Sequence, residues 1–219
     1  ATSYSTAEVF GGEGNDYIRL GGGAWDPDRS IQNIRALGEQ GNDTIRARIN
    51  GRGEQSSGGD VSSDQSIVLD GGTGNDQLEQ EINQSGSNRW HQYGRTTSHS
   101  AGGDGDDQIS LSSGSNYEQG LYVTANGDNG NDNINIQLYR SYGKDSATIN
   151  ADGGSGNDSI NINGSKNQVG TNINISGGTG NDNITVSETS AGRFEHATSN
   201  YGFSNVVIDA GSDDDTITV

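Results

Sequence analysis

Eight aspartates recur in one frame. Asp16, Asp43, Asp76, Asp107, Asp132, Asp158, Asp182 and Asp215 each close a glycine-rich turn, and each stands two residues ahead of an aliphatic: Ile18, Ile45, Leu78, Ile109, Ile134, Ile160, Ile184 and Ile217. The fullest copies of the turn read Gly-Gly-x-Gly-Asn-Asp and begin at Gly11, Gly71, Gly153 and Gly177; variants begin at Gly38, Gly102, Gly127 and Ala210. Glycines permit the positive backbone angles of a sharp turn and let main-chain carbonyls point inward, while the closing acid adds a charged oxygen. That is the chemistry of a calcium half-site. Calcium takes about six to eight oxygens at about 2.3 to 2.6 Å, more than one hexapeptide offers, so an ion is expected between successive turns. Eight turns would enclose about seven ions, with folding coupled to their uptake. One such run alone would be read as a plain turn; eight in one frame, each with its acid and its aliphatic, argue for ligands.

The elements that hold these turns follow from what flanks them. Successive acids lie 24 to 33 residues apart, so each coil carries one turn. After the turn comes a period-2 stretch, as in Ile134-Asn135-Ile136 or Ile160-Asn161-Ile162, which sets aliphatics on one face of a strand. Before the next turn comes a second strand, as in Ile67-Val68-Leu69, Ile173-Asn174-Ile175 or Val206-Val207-Ile208. Between them run polar segments of changing length, such as 51–63, 85–100 and 187–204, expected as far-side loops. The fold class is therefore all-β: a parallel β-solenoid (β-roll or β-helix) of about eight coils, two strands per coil and one calcium-binding turn per coil, forming a single domain over 1–219. The stretch Thr97-Ser98-His99-Ser100-Ala101 has no large aliphatic for the inner stripe, and a bulge or local opening is expected there.

Composition alone places the chain near the disordered class, with 27% hydrophobic residues and a net charge of −18. A solenoid needs less core, because each coil hydrogen-bonds to the next along its length. Thirty acidic residues against 12 basic ones disfavour nucleic acid and favour cations, and about seven divalent ions would cancel most of the net charge. There is no cysteine, which excludes disulfides and thiolate metal sites, and no apolar run of transmembrane length, so membrane insertion is not expected.

On these turns the chain resembles the RTX, or haemolysin-type, calcium-binding repeats of secreted bacterial proteins. The resemblance implies carboxylate ligands at the eight acids and main-chain ligands from the turn glycines: Gly11, Gly12 and Gly14; Gly38 and Gly41; Gly71, Gly72 and Gly74; Gly102, Gly103 and Gly105; Gly127 and Gly130; Gly153, Gly154 and Gly156; Gly177, Gly178 and Gly180. It also implies type I secretion as an unfolded chain and folding outside, where calcium is abundant. Three turns depart from the pattern. Glu39 and Asp128 replace the second glycine, and Ala210 and Asp213 replace the first and third glycines of the last turn. The long period also departs, since arrays of this family place a motif turn on both sides of a β-roll.

No constellation for catalysis stands out, and an enzyme is not expected. His91, His99 and His196 lie in or beside far-side loops without partners at zinc or triad spacing. Asp26 with Asp28, or Glu79 with Glu81, could be drawn as a glycosidase pair, but nothing separates them from the general acidity. Arg89-Trp90-His91-Gln92-Tyr93 with Arg95, joined by Trp25, Tyr139 and Tyr142, either packs under its own loops or seats a glycan or partner. No capping segment is visible at either end, so head-to-tail stacking is expected, with an eighth calcium shared between Asp215 and Asp16 of the following copy. The function expected is a secreted calcium-binding structural protein forming an extracellular filament or surface layer. The alternative is a calcium-stabilised adhesin or carbohydrate-binding module of a larger secreted protein.

Overall fold

The computed structural model describes residues 4–24, 31–53, 61–62, 64–86, 92–93, 95–114, 120–138, 147–165, 171–189 and 203–219. Two parallel sheets face each other. One is formed, in spatial order, by β1 (Tyr4–Glu13), β3 (Ile31–Gln40), β6 (Gln65–Thr73), β9 (Arg95–Asp104), β11 (Gly120–Asn129), β13 (Ala147–Ser155), β15 (Thr171–Thr179) and β17 (Phe203–Asp209). The other holds β2 (Tyr17–Ala24), β4 (Thr44–Gly53), β7 (Gln77–Gly86), β10 (Gln108–Ser113), β12 (Asn133–Leu138), β14 (Ser159–Ser165), β16 (Asn183–Thr189) and β18 (Thr216–Thr218). The chain alternates between them, one strand in each per coil, which is the expected all-β parallel solenoid. No helix among the described residues is long and apolar enough to cross a membrane.

Why these residues form these strands is visible in their alternation. Along β12 the exposed Asn133 and Asn135 alternate with the buried Ile134 and Ile136, and β14 repeats the pattern in register. The aliphatic two residues past each acid forms one continuous inner column: Ile18, Ile45, Leu78, Ile109, Ile134, Ile160 and Ile184 are all buried. Ile217 continues that column but is 48% exposed, because no strand covers β18 on its outer side. Facing it from the other sheet lie Ala36, Leu69, Ala125, Ala151 and Ile175. A thin stripe thus serves as the core, as the low apolar content requires.

Two expectations need correction. The bulge or opening expected at Thr97 to Ala101 is absent: β9 runs unbroken and in register between β6 and β11. The volume left by Ser98 and Ser100 is taken by Gln80, itself buried, from the opposite sheet. Its side-chain amide donates to the Ser100 hydroxyl at 2.8 Å and the His99 carbonyl at 2.9 Å, and the Ser98 hydroxyl donates to its Oε1. A polar plug with every group paired replaces the missing aliphatics. Gln80→Ala should therefore lower stability by about 2–3 kcal/mol, measured by urea unfolding in calcium, because it leaves both a void and unpaired buried hydroxyls. The second correction concerns the segment 85–100, which is not all loop: β9 begins at Arg95, and two short strands, β5 (Val61–Ser62) and β8 (Gln92–Tyr93), pair on the far side.

Candidate metal centre

The eight acids stack into one column at the edge where the two sheets meet. Each carboxylate from Asp43 to Asp215 accepts a hydrogen bond from the coil before it. The Asp16 N–H donates to Asp43 Oδ1 at 2.7 Å, Asp43 to Asp76 at 2.6 Å, Asp76 to Asp107 at 2.7 Å and Asp107 to Asp132 at 2.8 Å. The series continues through Asp158 and Asp182 to Asp215, where Asp182 N–H reaches Oδ1 at 2.9 Å. A second ladder runs beside it in the opposite sense. The Asn42 N–H donates to Asn15 Oδ1 at 2.9 Å, Asn75 to Asn42, and so on through Asp106, Asn131, Asn157 and Asn181 to Asp214. The fifth residue of the turn is therefore a structural acceptor, a role not assigned to it from the sequence. Its only visible signal was that the position is always Asn or Asp, the residues whose short side chains cap neighbouring main-chain groups.

From Asp43 onward the first ladder occupies one carboxylate oxygen, Oδ1, and leaves the other alone. Oδ2 of Asp16, Asp43, Asp76, Asp107, Asp132, Asp158 and Asp182 is buried with no hydrogen-bond partner. Around each lies a space that exists because the first residue of the turn is glycine. A Cβ on Gly71 would lie 2.4 Å from Asp76 Oδ2 and 2.4 Å from the Gly102 carbonyl oxygen of the next coil. The same pair of oxygens flanks Gly38 (Asp43 Oδ2 and Gly71 O) and Gly153 (Asp158 Oδ2 and Gly177 O). Two acceptors from adjacent coils thus converge with no donor between them. Buried acceptors in that arrangement call for a proton or a cation.

The protein's own electrostatics say the same. Burial pushes the carboxyls of Asp76, Asp132 and Asp158 up to about 6 and that of Asp107 up to about 7; the main-chain N–H each accepts pulls the other way, and neighbouring carboxylates add to the rise. Asp182 is raised for the same reasons. The donor set fits calcium. It is made only of oxygens, a carboxylate and main-chain carbonyls, which suits a hard cation and not zinc. Among the described residues no three acidic or histidine side chains converge, so an ion here would draw most of its shell from the main chain of two coils. When bound, calcium supplies positive charge that links the turns.

The departures from the motif keep its shape. Glu39, Asp128 and Asp213 adopt φ of 77°, 73° and 88°, the left-handed region that glycine occupies in the other turns. The last turn differs more. Ala210 puts a methyl where the other first positions leave space, and Asp215 is only partly covered because no coil follows it. Of the other residues singled out from the sequence, Glu79 and Glu81 pair with Arg46 and Arg48. Arg95 stacks on Tyr122 of the next strand, 4.7 Å from its ring centroid. His99 lies on the outer face of β9. Trp25, Asp26, Asp28, Arg89, Trp90, His91, Tyr139, Tyr142 and His196 lie outside the described residues.

Compared with known families, the chain matches the RTX calcium-binding nonapeptide repeat in four copies, over residues 8–24, 68–79 and 101–118. No curated protein and no solved structure matches it. The turns beginning at Gly38, Gly127, Gly153 and Gly177 lie outside the matched stretches, yet they carry the same carboxylate ladder and the same unpartnered oxygen. The chain carries RTX calcium-binding nonapeptide repeats on a parallel β-solenoid, one turn to a coil.

Proposed function

We propose that this chain is a secreted structural protein, a single solenoid domain that takes up about seven calcium ions along its turn column and stacks end to end into an extracellular filament or surface layer. The row of seven unpartnered Oδ2 atoms carries the calcium part, each beside a carbonyl of the next coil. The ligands would be the acids from Asp16 to Asp182 together with main-chain oxygens of the turn glycines. Export through a type I pathway, unfolded until it meets external calcium, fits a fold whose inner acids repel one another without a cation. The role is mechanical, with no reaction assigned to it.

The assembly part rests on the end coils. β1 and β2 have a strand neighbour on one side only, as do β17 and β18. Placed head to tail in the same register, Asp215 N–H would donate to Asp16 Oδ1 of the next copy. Asn15 N–H of that copy would donate to Asp214 Oδ1, and Ile217 would cover Ile18. Both side-chain ladders and the inner column would then continue across the junction. A second reading, a calcium-stabilised adhesin or carbohydrate-binding module of a longer secreted protein, is favoured by one observation: β1, β2, β17 and β18 pair in parallel with the coil beside them and leave the other edge open, so further coils of the same chain would continue them equally well. Electron microscopy with calcium and after chelation by EGTA separates the two. Filaments that vanish on chelation support assembly, whereas folded monomers at high concentration exclude it and favour the module.

A further inference from the structure

On the outer face of the first coils, away from the turn column, lies a groove lined by Tyr17, Arg19, Arg46, Arg48, Glu79 and Glu81. The strand register assembles it. Arg19 of β2 is the direct partner of Arg46 in β4, and Arg46 and Arg48 are the partners of Glu79 and Glu81 in β7. Arg46 Nε lies 2.8 Å from Glu79 Oε2, and Arg48 Nε lies 3.2 Å from Glu81 Oε2. Arg19 has no carboxylate partner among the described residues, and its neighbour across the ladder is another guanidinium. Like charges set directly opposite each other disfavour a sheet. In a chain with 30 acidic residues against 12 basic ones, such a pair is the exception. Tyr17, one outward position before Arg19, is 62% exposed, with the Arg46 guanidinium 6.0 Å from its ring centroid.

We propose that this groove binds a carboxylated sugar, a uronic-acid type of residue at the end of an otherwise neutral glycan. Each part of the lining has a role in that ligand's chemistry. Arg19, next to Arg46, offers a planar fork to a carboxylate. The exposed Tyr17 ring offers an apolar face to the C–H side of a sugar ring and a hydroxyl at its edge. Glu79, bonded through Oε2 to Arg46, retains acceptor capacity for sugar hydroxyls, and Glu81, whose Oε1 also accepts from the Asn83 amide at 2.7 Å, retains further lone pairs. Three guanidiniums against two carboxylates leave a single positive charge, which matches one carboxylate. A phosphate, at about two negative charges, would meet Glu79 and Glu81 as repulsion, and a nucleic acid would meet the net charge of −18 as well. An acidic peptide supplies the carboxylate but no ring of hydroxyls. The site stands on outer strand positions and is independent of how the coils assemble.

Isothermal titration calorimetry on the calcium-loaded chain, with calcium in large excess over sugar, tests this. The ligands are a trisaccharide ending in glucuronate, the same trisaccharide ending in glucose, and a glutamate-containing tripeptide. The glucuronate form is expected to bind with a dissociation constant on the order of 0.1–1 mM, about ten-fold tighter than either comparison ligand. Arg19→Gln and Tyr17→Ala should each weaken it about ten-fold, while Asn135→Ala, on the outer face of β12, should leave it unchanged. Circular dichroism on each sample separates a loss of fold, which would bear on the calcium reading, from a loss of binding. Equal affinity for the neutral sugar or for the tripeptide, full binding by Arg19→Gln, or no heat from a folded chain would each overturn the proposal.

Discussion

Chelating calcium at pH 8 is expected to abolish the β-sheet circular dichroism of this chain, and lowering the pH of the chelated sample to about 4.5 is expected to bring much of it back. The reason lies in the direction in which the inner acids are displaced. Asp76, Asp132 and Asp158 sit at about 6 and Asp107 at about 7 in the folded, metal-free chain, against about 3.9 for an aspartate in an unfolded one. Between about pH 4 and 7 the folded chain therefore holds more protons than the unfolded chain. Its stability is fully present at the acid end of that window and is lost as pH rises through the folded values. By pH 8 all four carboxyls are largely ionised, and calcium must supply the positive charge that protons supply below. Calcium affinity should accordingly rise with pH across the same window, with protons released on binding. An unchanged spectrum on chelation at pH 8 would count against the metal assignment itself.

Replacing Gly153 by alanine should remove one ion and destabilise the calcium-loaded chain by about 4 kcal/mol. A Cβ at that position would lie 2.4 Å from Asp158 Oδ2 and 2.5 Å from the Gly177 carbonyl oxygen, inside the space where the two coils present their oxygens. Overpacking of this kind costs about 1–3 kcal/mol, and losing a ligand present at about 100 times its dissociation constant costs about 2.7 kcal/mol more. Gly21 provides the contrast, since a Cβ there meets nothing within 4 Å; Gly21→Ala should stay within about 0.5 kcal/mol. Calorimetric stoichiometry reads the ion count, and chemical unfolding in calcium reads the stability. If Gly153→Ala binds as many ions as the parent, the space between the turns is not where calcium sits.

Much of the fold was legible because one frame repeats. The acid, the spacer and the aliphatic behind it, as in Asp132, Asn133 and Ile134, carry the turn, the outward position and the inner column in consecutive letters. What was not legible depends on register between residues far apart in the chain. That Asp43 Oδ1 receives an N–H from the coil before it, while Asn42 Oδ1 receives one from the coil after it, follows from stacking alone. Gln80 was likewise invisible as the plug for Ser98 and Ser100, because it belongs to the preceding coil and reaches across from the other sheet. The short β5 and β8 pair lies in segments of no periodicity, where local pattern carries no signal.

The two counter-running ladders have a mechanical consequence. Their hydrogen bonds lie along the rod axis, between one coil and the next, and the chain enters and leaves the rod at opposite ends. Tension applied through those ends would peel coils off in turn and would not shear the whole stack at once. Each coil that lets go frees 24 to 33 residues, roughly 80 to 120 Å of extended chain. Such a rod would lengthen in discrete steps under load, and calcium held between turns, as proposed above, would raise the force at which the next step comes.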